Sequence, residues 1–118
     1  MAIDQVRFDE FLGRAVNDMG AAMSGLLVVV GDRLGLYTAL AEVGGVTTTE
    51  LADRAGIAER YAREWLEQQT AAGIVRADGK GDGVRFTLPA GHAEVLLDRD
   101  SLSYMAPTVR SLMMLTPA

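Results

Sequence analysis

Seven apolar residues near the N-terminus, Phe8, Leu12, Ala15, Met19, Met23, Leu26 and Val30, recur at steps of three and four. That spacing puts their side chains on one face of a helix. The series predicts one or two long helices, with Gly20 as a candidate hinge. Three consecutive valines, Val28 to Val30, leave a strand as the rival reading at its end. The nearly apolar run from Ala21 to Val30 is well short of the roughly 20 residues needed to cross a bilayer. The stripe is therefore expected to meet protein, as core or as the seam of a dimer.

Composition narrows the chemistry. No cysteine is present, which excludes disulfides, thiolate nucleophiles and sulfur metal ligands and suits a reducing cytoplasm. The single histidine, His92, cannot by itself build the histidine clusters that zinc or non-haem iron usually takes. A formal net charge of -5 works against nucleic acid, whose phosphates reward clustered Lys and Arg.

Beyond the first stripe the punctuation is dense. Thr38 to Ala41 reads as a short helical turn stopped by Gly44-Gly45. Thr47-Thr48-Thr49-Glu50 has the spacing of a capping box, and Leu51, Ala52 and Ala55 form the buried face of a helix that ends at Gly56. Tyr61, Trp65, Leu66, Gln69 and Ala72 define a second helix closed by Gly73, with Tyr61 and Trp65 read as core rather than as a ligand stack. Ile74 to Ala77 and Val84 to Leu88 are short extended runs, and the glycine-rich Asp78 to Gly83 between them reads as a hairpin tip. A short helix is expected around Ala93 to Leu97, with Ser101 as a cap for the next helical stretch and Pro107 as the start of a separate segment. The fold class is mainly α: a winged helix-turn-helix with a two-stranded β-hairpin wing and long additional N-terminal helices. One compact domain has three parts: residues 1–45 are dimerisation helices, 46–90 the winged helix-turn-helix, and 91–118 a C-terminal helical linker.

More specific is the series Gly31-Asp32-Arg33-Leu34-Gly35-Leu36-Tyr37-Thr38-Ala39-Leu40, Thr49-Glu50-Leu51-Ala52, Glu59-Arg60-Tyr61-Ala62-Arg63-Glu64-Trp65-Leu66 and Ala71-Ala72-Gly73. It resembles the N-terminal domain of two-domain S-adenosylmethionine (SAM)-dependent small-molecule methyltransferases, some of which are labelled transcriptional regulators. The resemblance covers nearly the whole chain. It implies a dimerisation and substrate-capping role, a homodimer, and a small-molecule substrate in the full-length enzyme. The methyl donor is expected on a C-terminal domain outside this chain, so no catalytic residue, metal or cofactor is assigned within it. The family's D-x-G-x-G donor loop has no counterpart here; Val28-Val29-Val30-Gly31-Asp32 comes nearest and reads as helix.

Two candidate surfaces remain. Met105, Leu112 and Met113 crowd an apolar C-terminal segment, Leu102 to Leu115, suited to walling a substrate pocket or an interface. Arg60, Arg63 and Lys80 are the DNA-contacting residues of the alternative reading, a winged-helix transcriptional regulator. Glu59, Glu64 and Glu67 share their helix, and mixed charge at three- and four-residue spacing is typical of a solvated face with internal ion pairs. His92, near Glu94, Asp98 and Asp100, has no second base or nucleophile at a supporting spacing and is read as helping to end the wing.

Overall fold

The computed structural model describes residues 2–105 together with Pro107, Thr108 and Ser111. Five helices and a two-stranded antiparallel sheet follow one another: α1 (Gln5–Leu34), α2 (Leu36–Leu40), α3 (Thr48–Ala55), α4 (Glu59–Ala71), β1 (Arg76–Asp78), β2 (Arg85–Thr87) and α5 (Ala90–Leu97). This is a winged helix preceded by one very long helix.

The sequence stripe forms the 30-residue α1 without a break, so Gly20 lies inside a continuous helix and is not a hinge. The Asp4 side chain accepts the Arg7 N–H at one end, and Gly35, at φ 70°, closes the other. The valine run is helical because the 3.6-residue pattern continues through it into Gly31 and Leu34. Only its last turns meet the rest of the molecule.

There the packing is tight. Gly31 is buried, and a Cβ added to it would lie 2.5 Å from Trp65 Cζ2 and 2.7 Å from Tyr37 Cε2. Glycine is what lets α1 approach these rings. The rings meet at a centroid distance of 5.2 Å and an interplanar angle of 59°. Trp65 Nε1 donates to the Leu27 carbonyl at 2.9 Å, and Gln68 Nε2 donates to Ser24 Oγ at 2.8 Å. These bonds set the position of α4 against α1.

The capping box forms as the spacing predicts, with Thr47 Oγ1 accepting the Glu50 N–H at 3.2 Å, and α3 ends at Gly56 in the left-handed region. On α4, Ala62, Trp65, Leu66 and Gln69 are buried. Tyr61 is not: at 66% exposure it lies outside the core in which the periodicity placed it. Its neighbour Ala62 takes the inward position of that turn instead.

The wing pairs Arg76 with Thr87, Ala77 with Phe86 and Asp78 with Arg85. Its first strand begins two residues later than the apolar run Ile74-Val75 suggests, because both of those backbone N–H groups bond the Gln69 carbonyl and belong to the helix exit. A single 3-10 turn, Gly81–Gly83, forms the tip. Val46 adds an isolated one-residue bridge to β2, exchanging backbone bonds with Phe86 at 3.0 and 2.7 Å. After α5, Ser101 Oγ accepts the Ser103 N–H at 3.1 Å and closes a turn rather than capping a helix there. Helical backbone resumes at Pro107 and Thr108.

Candidate functional site

Nine large apolar side chains along one arc of α1, Phe8, Phe11, Leu12, Val16, Met19, Met23, Leu26, Val30 and Leu34, are exposed. Met19, at the middle of the stripe, is 74% exposed. A helix packs through such a stripe, so a continuous uncovered one marks a surface for a partner. The face of α1 that the sequence singled out is therefore not the one that packs on the domain. Ser24, Leu27, Val28 and Gly31, on another side of the helix, make or approach the contacts with its own fold.

The winged face has different chemistry. Arg60 pairs with Glu64 at 3.2 Å and Arg63 with Glu59 at 2.5 Å, the internal pairs that the spacing predicts. Lys80 is exposed at the foot of the wing tip. Between α4 and the wing lies an open groove of about 530 Å³ lined by Glu59, Glu67 and Asp82 against the cation Arg63. The carboxylates dominate where a recognition helix and wing would meet a phosphate backbone.

Of the proposed pocket-wall residues, Met105 follows α5, 44% exposed, with its N–H bonded to the Val95 carbonyl at 2.9 Å. Leu112 and Met113 lie outside the described residues. Leu102, close to Met105 in the chain, is fully exposed, so this segment also presents uncovered apolar side chains.

His92 sits in the first turn of α5, its Nδ1–H donating to the Ile74 carbonyl at 2.8 Å. It ties α5 to the exit of α4 instead of ending the wing. Val28 to Asp32 lie within α1, where backbone N–H groups are spent on the helix's own carbonyls. They offer no cradle for the methionine end of a methyl donor. Among the described residues, no three His, Asp or Glu side chains are placed to hold a metal ion, and no helix is long and apolar enough to cross a membrane.

A polar residue on the buried face of α4 proves central. Gln69 is fully buried, accepts the Tyr37 hydroxyl through its side chain, and offers its backbone carbonyl to Ile74 and Val75. Burial first, and the charge of Asp32 second, hold the Tyr37 phenol well above the usual tyrosine range. Both residues serve the core.

Among solved structures, the fold is shared with PigF with SAH (TM-score 0.69, 22% identical, covering 87% of this chain and 29% of that one). It is also shared with human N-acetylserotonin methyltransferase (ASMT) in complex with SAM (TM-score 0.65, 17% identical, covering 86% and 32%). A multiple antibiotic-resistance repressor (MarR) from Listeria monocytogenes aligns more loosely (TM-score 0.48, 15% identical, covering 97% and 80%). At such identities the likeness establishes the fold alone, and the chain spans about a third of the length of the first two. No curated protein matches the sequence. Residues 22–99 match the family described as the Rv2258c-like winged HTH domain, and the chain belongs to that family.

Proposed function

We propose that this chain is the dimerisation and substrate-capping module of a SAM-dependent small-molecule methyltransferase, acting as a homodimer in the cytoplasm. The observation that carries the reading is the uncovered apolar face of α1, which the winged helix itself leaves unused. Its support is the resemblance of the Gly31 to Gly73 series to methyltransferase N-terminal domains, together with a fold shared with proteins solved with SAH and SAM. In this reading the methyl donor binds a domain outside the chain. The apolar segment of the sequence that holds Leu102, Met105, Leu112 and Met113 walls the acceptor's pocket in this reading, and Leu102 and Met105 are exposed.

The regulator reading needs a cationic face, and the ion-paired Arg60 and Arg63 above a carboxylate-lined groove do not supply one. Sedimentation of the chain over a wide concentration range tests the proposal. A dimer is expected; a monomer mass at every concentration overturns it. Titration of the full-length gene product with SAM tests the enzymatic half, and absence of binding overturns that half. Salt-sensitive retention of duplex DNA by the chain would favour the regulator instead.

A further inference from the structure

The α1 stripe also encodes the orientation and register of a dimer, an inference that rests on the dimerisation reading. We propose that two copies of α1 pair antiparallel about a two-fold axis at Met19. Phe8 of one copy then stands against Val30 of the other, Leu12 against Leu26, and Ala15 against Met23.

The spacing of the stripe carries this register. Its steps run four, three, four from Phe8 to Met19 and four, three, four from Met19 to Val30, so the pattern reads the same in both directions. A two-fold axis through Met19 therefore sets each apolar side chain level with another, as a self-complementary interface requires. At 100° per residue these seven positions fall within about 80° of the helix circumference, and Phe11, Val16 and Leu34 widen the apolar arc to about 140°.

The molecule leaves this face free. Ser24, Leu27, Val28 and Gly31, which turn toward α2 and α4, centre about 130° away from the stripe. The body therefore does not stand between the seams. A 30-residue helix is about 45 Å long, and nine exposed large apolar side chains along it supply area of the order of the ~800 Å² per partner that a stable interface buries.

Charge selects the direction. Arg33 lies within the apolar arc, and parallel pairing sets it level with Arg33 of the second copy, with both bodies at one end of the seam. Antiparallel pairing instead brings Arg33 level with Gln5 and beside Asp4 of the second copy. Opposite charges at flanking positions decide orientation in paired helices.

The absence of cysteine from the sequence makes the register directly testable. Met19→Cys, Leu12→Cys and Leu26→Cys each sit at exposed positions of α1, so folding is retained, which circular dichroism checks. Oxidation, or a short bismaleimide, is expected to cross-link Met19→Cys with itself. Leu12→Cys and Leu26→Cys are each expected to cross-link poorly alone, and efficiently when the two are co-expressed. If each cross-links efficiently by itself, the helices are parallel and the proposal is overturned while dimerisation stands. A dimer in which none of the three cross-links has its seam elsewhere, which also overturns the proposal. A monomer mass for the parent chain removes the dimerisation reading itself.

Discussion

The hydroxyl of Tyr37, on α2, donates to the side-chain oxygen of Gln69, on α4, inside the core. Tyr37→Phe removes the donor and leaves that oxygen buried without it, so the fold should lose about 1 to 3 kcal/mol. The double variant Tyr37→Phe, Gln69→Leu should lose less than the two single changes added together, since no orphaned polar atom remains at this contact. Urea denaturation of the four proteins measures this. Additive losses would mean that the bond is not what Gln69 contributes.

The same pair gives the stability a pH dependence. The Tyr37 phenol is raised above its usual value in the fold, first by burial and then by Asp32, while in the unfolded chain it ionises near pH 10. Above that pH the folded state holds a proton that the unfolded state has released, so stability falls as pH rises. Below about pH 10 the contribution is complete. Thermal melts of the parent chain should therefore decline above pH 10 more steeply than those of Tyr37→Phe, and equal slopes would remove Tyr37 as the cause.

The fit of α1 onto the core depends on Gly31. Gly31→Ala places a methyl group against Trp65 and Tyr37 at distances that force a shift. Overpacking of this kind costs about 1 to 3 kcal/mol, against the roughly 1 kcal/mol that alanine gains over glycine in a helix. Gly13, with nothing within 4 Å of an added Cβ, has only the gain. Gly31→Ala should lower the melting temperature and Gly13→Ala should raise it. A rise for both would mean that helix propensity outweighs the clash, and a fall for both that an exposed glycine in α1 costs no helix stability.

Much of the fold was written in the sequence, though not all of it. The capping box at Thr47, the left-handed stop at Gly56 and the hairpin between Arg76 and Thr87 arise from local chemistry, and local patterns located them. Tyr61 misled because periodicity fixes the face of a helix but not how wide the neighbouring elements cover it. Gln69 sat in the apolar series as an apparent compromise. Its partner is 32 positions away, and no local signal announces such a bond. The stripe from Phe8 to Val30 was recognised as a packing face, yet the sequence could not say against what, because a core face and an interface face share one period.

Arg85 fixes the wing to the turn before α3. Its Nε donates to the Gly44 carbonyl at 2.7 Å, and its Nη2 donates to the Gly45 carbonyl at 2.9 Å and to Glu50 Oε2 at 3.2 Å. Arg85→Lys cannot span three acceptors with a planar fork and should weaken the fold by about 1 kcal/mol. The Glu50 carboxyl is held below its usual value chiefly by the hydrogen bond from Arg85. Stability from this contact is thus present above the ordinary glutamate range and is lost as pH falls through the lowered value. Acid titration of stability should show this loss in the parent chain and not in Glu50→Gln; identical profiles would show that the contact is too solvated to matter.

Met19 offers the sharpest separation of assembly from folding. In the single chain its side chain is 74% exposed, and glutamate forms helix about as readily as methionine, so Met19→Glu should leave the fold of one copy intact. At a two-fold axis, however, the substitution sets two carboxylates against each other in an interface that excludes water, a cost of several kcal/mol. Sedimentation should then give half the parent mass at concentrations where the parent is a dimer, with an unchanged helical circular dichroism signal at low concentration. Met19→Leu, which keeps the apolar contact, should remain dimeric. If the glutamate variant dimerises as tightly as the parent, α1 is not the seam, and the exposed stripe must meet something other than a second copy.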